Sequence, residues 1–125
     1  MENKISFIKN FFMSVEIQFI ENISEKTLPI VKLTKSRNGK TGTATFVFIY
    51  PSVFTEFNSQ IFLINGMYLL WEKKKIHTKV IEILFRNGKP FGIKAIIILK
   101  NAKEWFTFLN FMNLYSKETA LFFGE

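Results

Sequence analysis

Cysteine and aspartate are both absent from this chain. Without cysteine there is no disulfide, no thiolate nucleophile and no Cys-ligated zinc or iron–sulfur centre. All ten acidic residues are glutamates, His77 is the one histidine, and arginine occurs only at Arg37 and Arg86. Long apolar runs are missing too. Stretches such as Ala95 to Leu99 fall far short of the ~20 residues that span a bilayer. No linker, internal repeat or low-complexity block divides the sequence.

What is present is hydrophobic and basic: 48% hydrophobic residues, 17% aromatics and a net charge of +7 over 125 residues. That is too apolar for a disordered chain, and the length suits one folded domain with one core. The positive charge is carried almost wholly by lysine. It favours acidic partners or an anionic lipid surface. Lysine can contact phosphate, but reading bases or gripping carboxylates in two-point fashion prefers the arginine fork, which is scarce.

Val15, Ile17 and Phe19 alternate with Glu16 and Gln18, the period of a half-buried strand. A second strand is expected at Val31 and Leu33, after Pro29 and before the turn residues Arg37, Asn38 and Gly39. Thr43 to Tyr50 is dense in β-branched and aromatic residues and is stopped by Pro51. Ser52 to Ile61 has no clear period and is read as a short helix or loop. Gly66 to Trp71 reads as a strand, Glu72 to Lys75 as a charged turn, and Ile76 to Phe85 as one returning strand. Asn87-Gly88 followed by Pro90 predicts a hairpin into Phe91 to Leu99. Asn101, with Glu104 three residues on, can cap a terminal helix. Its apolar stripe is Trp105, Phe108, Leu109, Met112 and Tyr115, with Lys103, Thr107 and Asn110 opposite. The expected class is α+β: a small, mostly antiparallel sheet flanked by helices, with the C-terminal amphipathic helix packed on the sheet.

Catalytic arrangements find little support. Gly39-Lys40-Thr41 spells the end of a phosphate-binding loop, but Thr34 stands where the first glycine belongs and a strand follows instead of a helix. His77 has no Cys or Asp to ligate beside it, and reads as a surface or edge histidine. No serine sits in a nucleophile elbow, and the glutamates are scattered. Asn22 to Ser24 matches a glycosylation sequon without a secretory signal to expose it. The chain reads as a non-enzyme with no cofactor and no metal.

Several segments carry a family resemblance: Glu16-Ile17-Gln18-Phe19; the block Val31-Lys32-Leu33-Thr34-Lys35-Ser36-Arg37-Asn38-Gly39-Lys40-Thr41-Gly42-Thr43-Ala44-Thr45-Phe46; Gly66-Met67-Tyr68-Leu69; Asn87-Gly88-Lys89-Pro90; and Glu104-Trp105 with Phe108, Phe111, Met112 and Tyr115. In order and over about Val15 to Phe123, the chain resembles the photosystem II reaction-centre subunit 28 family of photosystem II assembly proteins. The resemblance implies a non-catalytic factor on the stromal side of the plastid thylakoid membrane, or the cytoplasmic side in a cyanobacterium. Its implied partners are photosystem II assembly intermediates, chiefly the larger core-antenna chlorophyll protein and nearby reaction-centre loops. Two departures stand out. Trp71-Glu72-Lys73-Lys74-Lys75 replaces a usually acidic turn, and Phe106 and Asn110 stand where charged residues are common.

The whole of 1–125 is expected to form one domain, with 15–123 the subunit-28-like part and 1–14 an extension, because Met13-Ser14-Val15-Glu16 resembles how family members begin. The expected contact surface is a sheet edge near the signature block: Ser36, Arg37, Gly39, Lys40, Gly42, Thr43 and Thr45, facing Gly66, Met67 and Tyr68. Gly39 and Gly42 either admit another backbone or merely shape a hairpin. The alternative function is a small basic module binding RNA or a single strand, with bases stacked on sheet aromatics.

Overall fold

A computed structural model describes residues 15–56 and 58–121 of the chain. The expected extension at 1–14 lies outside the described residues. Eight strands run in chain order: β1 Val15–Ile20, β2 Ile23–Ser24, β3 Ile30–Lys35, β4 Gly42–Ile49, β5 Met67–Trp71, β6 Lys74–Thr78, β7 Ile81–Arg86 and β8 Lys89–Leu99. Between β4 and β5 lie a short helix, α1 Ser52–Glu56, and a 3-10 turn, Asn58–Leu63. The chain continues after β8 into α2, Ala102–Thr119.

The strands form two antiparallel four-stranded sheets, ordered β2-β1-β5-β6 and β3-β4-β8-β7. The sequence pointed to one sheet flanked by helices. Among the described residues there are instead two sheets and one long helix, so the fold is richer in strand than expected. The difference arises within Ile76 to Phe85, expected as one strand. The Thr78 hydroxyl donates to the Ile96 carbonyl at 2.6 Å and accepts from the Val80 N–H at 3.0 Å. Ile96 N–H in turn donates to the Val80 carbonyl at 2.9 Å. The backbone therefore leaves the first sheet after Thr78 and enters the second at Ile81, a corner of the kind that joins packed sheets.

Period-two alternation turns Ile17, Phe19, Met67, Leu69 and Trp71 of the first sheet inward, together with Phe46, Phe48, Ile93, Ala95 and Ile97 of the second. Phe19 meets Phe48 edge-to-face, with centroids 4.9 Å apart, where the two sheets touch. α2 covers both. Phe108 packs on Phe46 at 6.1 Å, and Phe111 packs on Trp71 at 5.2 Å. Its buried stripe is Trp105, Phe108, Phe111, Met112 and Tyr115. The expected cap is present: Asn101 Oδ1 accepts from Glu104 N–H at 2.9 Å, and Glu104 Oε1 accepts from Lys100 N–H at 2.8 Å. Asn110, placed by the pattern on the polar side, also accepts from the Trp71 indole N–H at 2.8 Å and ties the helix to β5.

Candidate functional site

The β3–β4 turn is held by its own polar groups. Ser36 N–H donates to the Thr41 carbonyl at 2.9 Å, and Gly39 N–H donates to the Ser36 carbonyl at 3.0 Å. Asn38 Oδ1 accepts from the Ser36 hydroxyl at 2.6 Å and from Lys40 N–H at 2.9 Å. Gly39 takes φ +69°, a left-handed value for which glycine is suited, and has open space around it. Arg37 and Lys40 are exposed at the tip of this braced turn. A loop fixed in this way loses little conformational freedom when a partner binds.

Gly42 serves a different purpose. A Cβ there would lie 2.3 Å from the Thr34 carbonyl oxygen and 3.0 Å from the Trp105 ring. The missing side chain lets β3 and α2 close over the start of β4, so it is filled by this chain's own atoms. Thr43 and Thr45 follow, half-buried, on the face of β4 turned away from the core, opposite Ile98 and Ile96 of β8.

The second group of expected contact residues lies in the other sheet. Met67 is fully buried in the core, and Gly66 is packed against the β6 backbone, where a Cβ would stand 2.8 Å from the Thr78 carbonyl. Tyr68 is on the outer face, stacked on His77 with centroids 4.5 Å apart. His77 is exposed on β6, an end strand. Gly66 to Leu69 therefore does not face Ser36 to Phe46: β4 pairs with β3 and β8, and β5 pairs with β1 and β6. Strand order, which the residues themselves do not announce, separates the two segments.

β4 and β5 are inner strands, so neither offers an open ladder. β3 does, as the end strand of its sheet among the described residues. Ser36 and Thr41 are a hydrogen-bonded pair, and in antiparallel pairing such pairs alternate with non-bonded ones. The N–H and C=O of Val31 and Leu33 thus turn to the open side, next to the Arg37 and Lys40 turn.

One buried charge escaped the sequence reading. Glu25 Oε2 accepts from Ser52 N–H at 2.6 Å, the Ser52 hydroxyl at 2.8 Å and Thr27 N–H at 2.9 Å, while Oε1 accepts from Val53 N–H at 3.0 Å. The carboxylate anchors the start of α1 across 27 positions of sequence, a separation no local signal could bridge. Burial, and next the negative charge of Glu25, push the Tyr115 hydroxyl up to about 12. Among the described residues, no group of three or more His, Asp or Glu side chains is placed to hold a metal ion, and no helix is long and apolar enough to cross a membrane.

Among the described residues, the exposed aromatics Tyr50, Phe62, Phe85 and Phe106 are spread over the residue after β4, the 3-10 turn, β7 and α2.

Comparison with known proteins gives a consistent result. The family model described as Psb28 protein matches residues 17–123. The chain is 43% identical over 109 residues to a protein named photosystem II reaction center Psb28 protein from Guillardia theta, covering 87% of this chain and 94% of that protein. It is 40% identical over 110 residues to the protein of the same name from Trichormus variabilis, covering 88% and 97%. A third, from Cyanidioschyzon merolae, is 40% identical over 107 residues, covering 86% and 94%.

Proposed function

The chain belongs to the Psb28 protein family, and on that premise we propose that it is a non-catalytic photosystem II assembly factor. In this reading it binds reaction-centre and core-antenna assembly intermediates at the stromal face of the thylakoid. Its relatives carry photosystem II in their names, and the present chain resembles them over nearly its whole length. Peripheral attachment through the partner agrees with the lack of a membrane-crossing helix among the described residues.

The observation that carries the contact surface is the open β3 edge beside a braced, doubly basic turn. An extended partner segment adds to β3 through the outward N–H and C=O groups of Val31 and Leu33, while Arg37 and Lys40 meet acidic side chains at the rim. Ser36 and Gly39 hold the turn in shape for this contact, and Gly42 keeps β3 and β4 in place. Thr43, Thr45 and Tyr68 are available for side-chain contacts on the outer faces. Gly66 and Met67 support from within.

A test is pull-down of the larger core-antenna chlorophyll protein by Arg37→Ala with Lys40→Ala, with folding followed by circular dichroism. The double variant keeps the parent's spectrum and captures less partner, and the deficit is greatest at low salt, where rim charges act most strongly. Equal capture by parent and variant at both low and high salt would remove this turn from the interface.

A further inference from the structure

The edge of β6, the end of β8 and the first turn of α2 enclose an open cleft of about 600 Å³. Lys75, Lys100, Lys103 and His77 are among its lining residues, the Lys75 ammonium lying 5.8 Å from the centroid of the Tyr68 ring. Val80 and Ile98, also in the lining, are 50% and 55% exposed. Glu104 is the one carboxylate in the lining, and its Oε1 already accepts from Lys100 N–H at 2.8 Å. Several other polar side chains of the lining already have partners. Asn101 Oδ1 takes Glu104 N–H, the Thr78 hydroxyl oxygen takes Val80 N–H, and the hydroxyls of Thr78 and Thr107 donate to the carbonyls of Ile96 and Lys103. Among the described residues, Lys100 and Lys103 make no ion pair. The lining thus combines three lysines against one glutamate with exposed aliphatic surface.

We propose that this cleft binds the phosphate or sulfonate group of an anionic amphiphile, with Lys75, Lys100 and Lys103 around the oxyanion and Val80 and Ile98 against its apolar stem. A cation is disfavoured by the lysines, and a fully apolar ligand would strand three ammonium groups. The amphipathic lining favours a lipid headgroup over free phosphate as the source. Such a site gives the protein a membrane contact of its own, whatever holds it to photosystem II.

The test has two arms. Inorganic phosphate is titrated into the parent while backbone amides are followed by NMR. Sedimentation is measured with vesicles of an equal mixture of phosphatidylglycerol and phosphatidylcholine, and with phosphatidylcholine alone. The cleft variant Lys75→Gln, Lys100→Gln, Lys103→Gln is set against a charge-matched control, Lys89→Gln, Lys94→Gln, Lys117→Gln. The expected result is that the cleft variant binds the anionic vesicles about tenfold or more weakly than the control. Phosphate is expected to shift amides at 75–78 and 98–103. Cleft-dependent sedimentation identifies a lipid headgroup; amide shifts there without it identify a soluble phosphate. If the two triple variants sediment alike and phosphate shifts no amide lining the cleft, the attraction is diffuse net charge and the site does not exist.

Discussion

Nothing larger than hydrogen fits at position 42, because the position of a Cβ lies 2.3 Å from a backbone oxygen that cannot swing aside. Gly42→Ala therefore forces β3 or α2 to shift, and should cost about 3 kcal/mol in denaturant unfolding, the upper end of the usual overpacking range. At Gly39 only the left-handed φ is demanding, and asparagine tolerates that. Gly39→Asn should cost less than about 1 kcal/mol; equal costs at the two positions would mean that Gly42 also only shapes the turn. Both glycines were visible in the sequence as turn residues. Which one was packed against something was not, since the ring that approaches Gly42 comes from Trp105 in the terminal helix. Tyr115 offers a pH-dependent check. An unfolded tyrosine ionises near 10 and the folded one at about 12. As pH climbs the unfolded chain loses this proton first, so the stability that is intact below about 10 is lost as pH rises through the interval to about 12. Tyr115→Phe should flatten this alkaline loss when urea unfolding is compared at about pH 8 and about pH 11. Parallel losses in parent and variant would show that Tyr115 is not held neutral by the fold.

Among the elements, those whose signals are local were legible. Asn87 and Gly88 take φ +53° and +77°, as the Asn-Gly pair between β7 and β8 requires. The Asn101 cap forms with the partner that its spacing to Glu104 implied. Trp105, the first residue of the apolar stripe of α2, is 5% exposed beside Gly42, so Trp105→Ala should cost about 3 to 5 kcal/mol, as large aromatic truncations do in cores. A loss below about 1 kcal/mol would put the ring outside the core. The break between β6 and β7 was missed because apolar residues continue through it. A signal was nevertheless present: Ile76 and Thr78 point inward at even positions, opposite Leu69 and Met67, and Ile81 and Ile83 at odd ones, opposite Ala95 and Ile93. Such a change of parity cannot occur within one regular strand. Thr78→Val keeps the shape and removes the hydroxyl that bonds both Ile96 and Val80. It should destabilise by about 1 to 3 kcal/mol, because two backbone groups are left unsatisfied. A neutral effect would mean that the corner is held by packing alone.

At the scale of the molecule, the two sheets and the long helix α2 share an aromatic core among the described residues. The sequence made the class, the terminal helix and most strands readable, because alternation, caps and turn residues act over a few positions. Strand order depends on pairings far apart in the chain, and with it which strand is an edge. That is why Met67 was expected at a surface and is buried, and why β3, rather than β4, presents the open ladder beside Arg37 and Lys40. Lys73, Lys74 and Lys75 are exposed, and Asn110 finds a partner in Trp71. In the function proposed above, this fold grips photosystem II while it is being built. Native fractionation of thylakoid membranes carrying the tagged chain measures this most directly. The expected result is co-migration with a photosystem II subcomplex that contains the larger core-antenna protein, and absence from the finished complex. Migration as a free protein, with RNA, or only with finished photosystem II would contradict it.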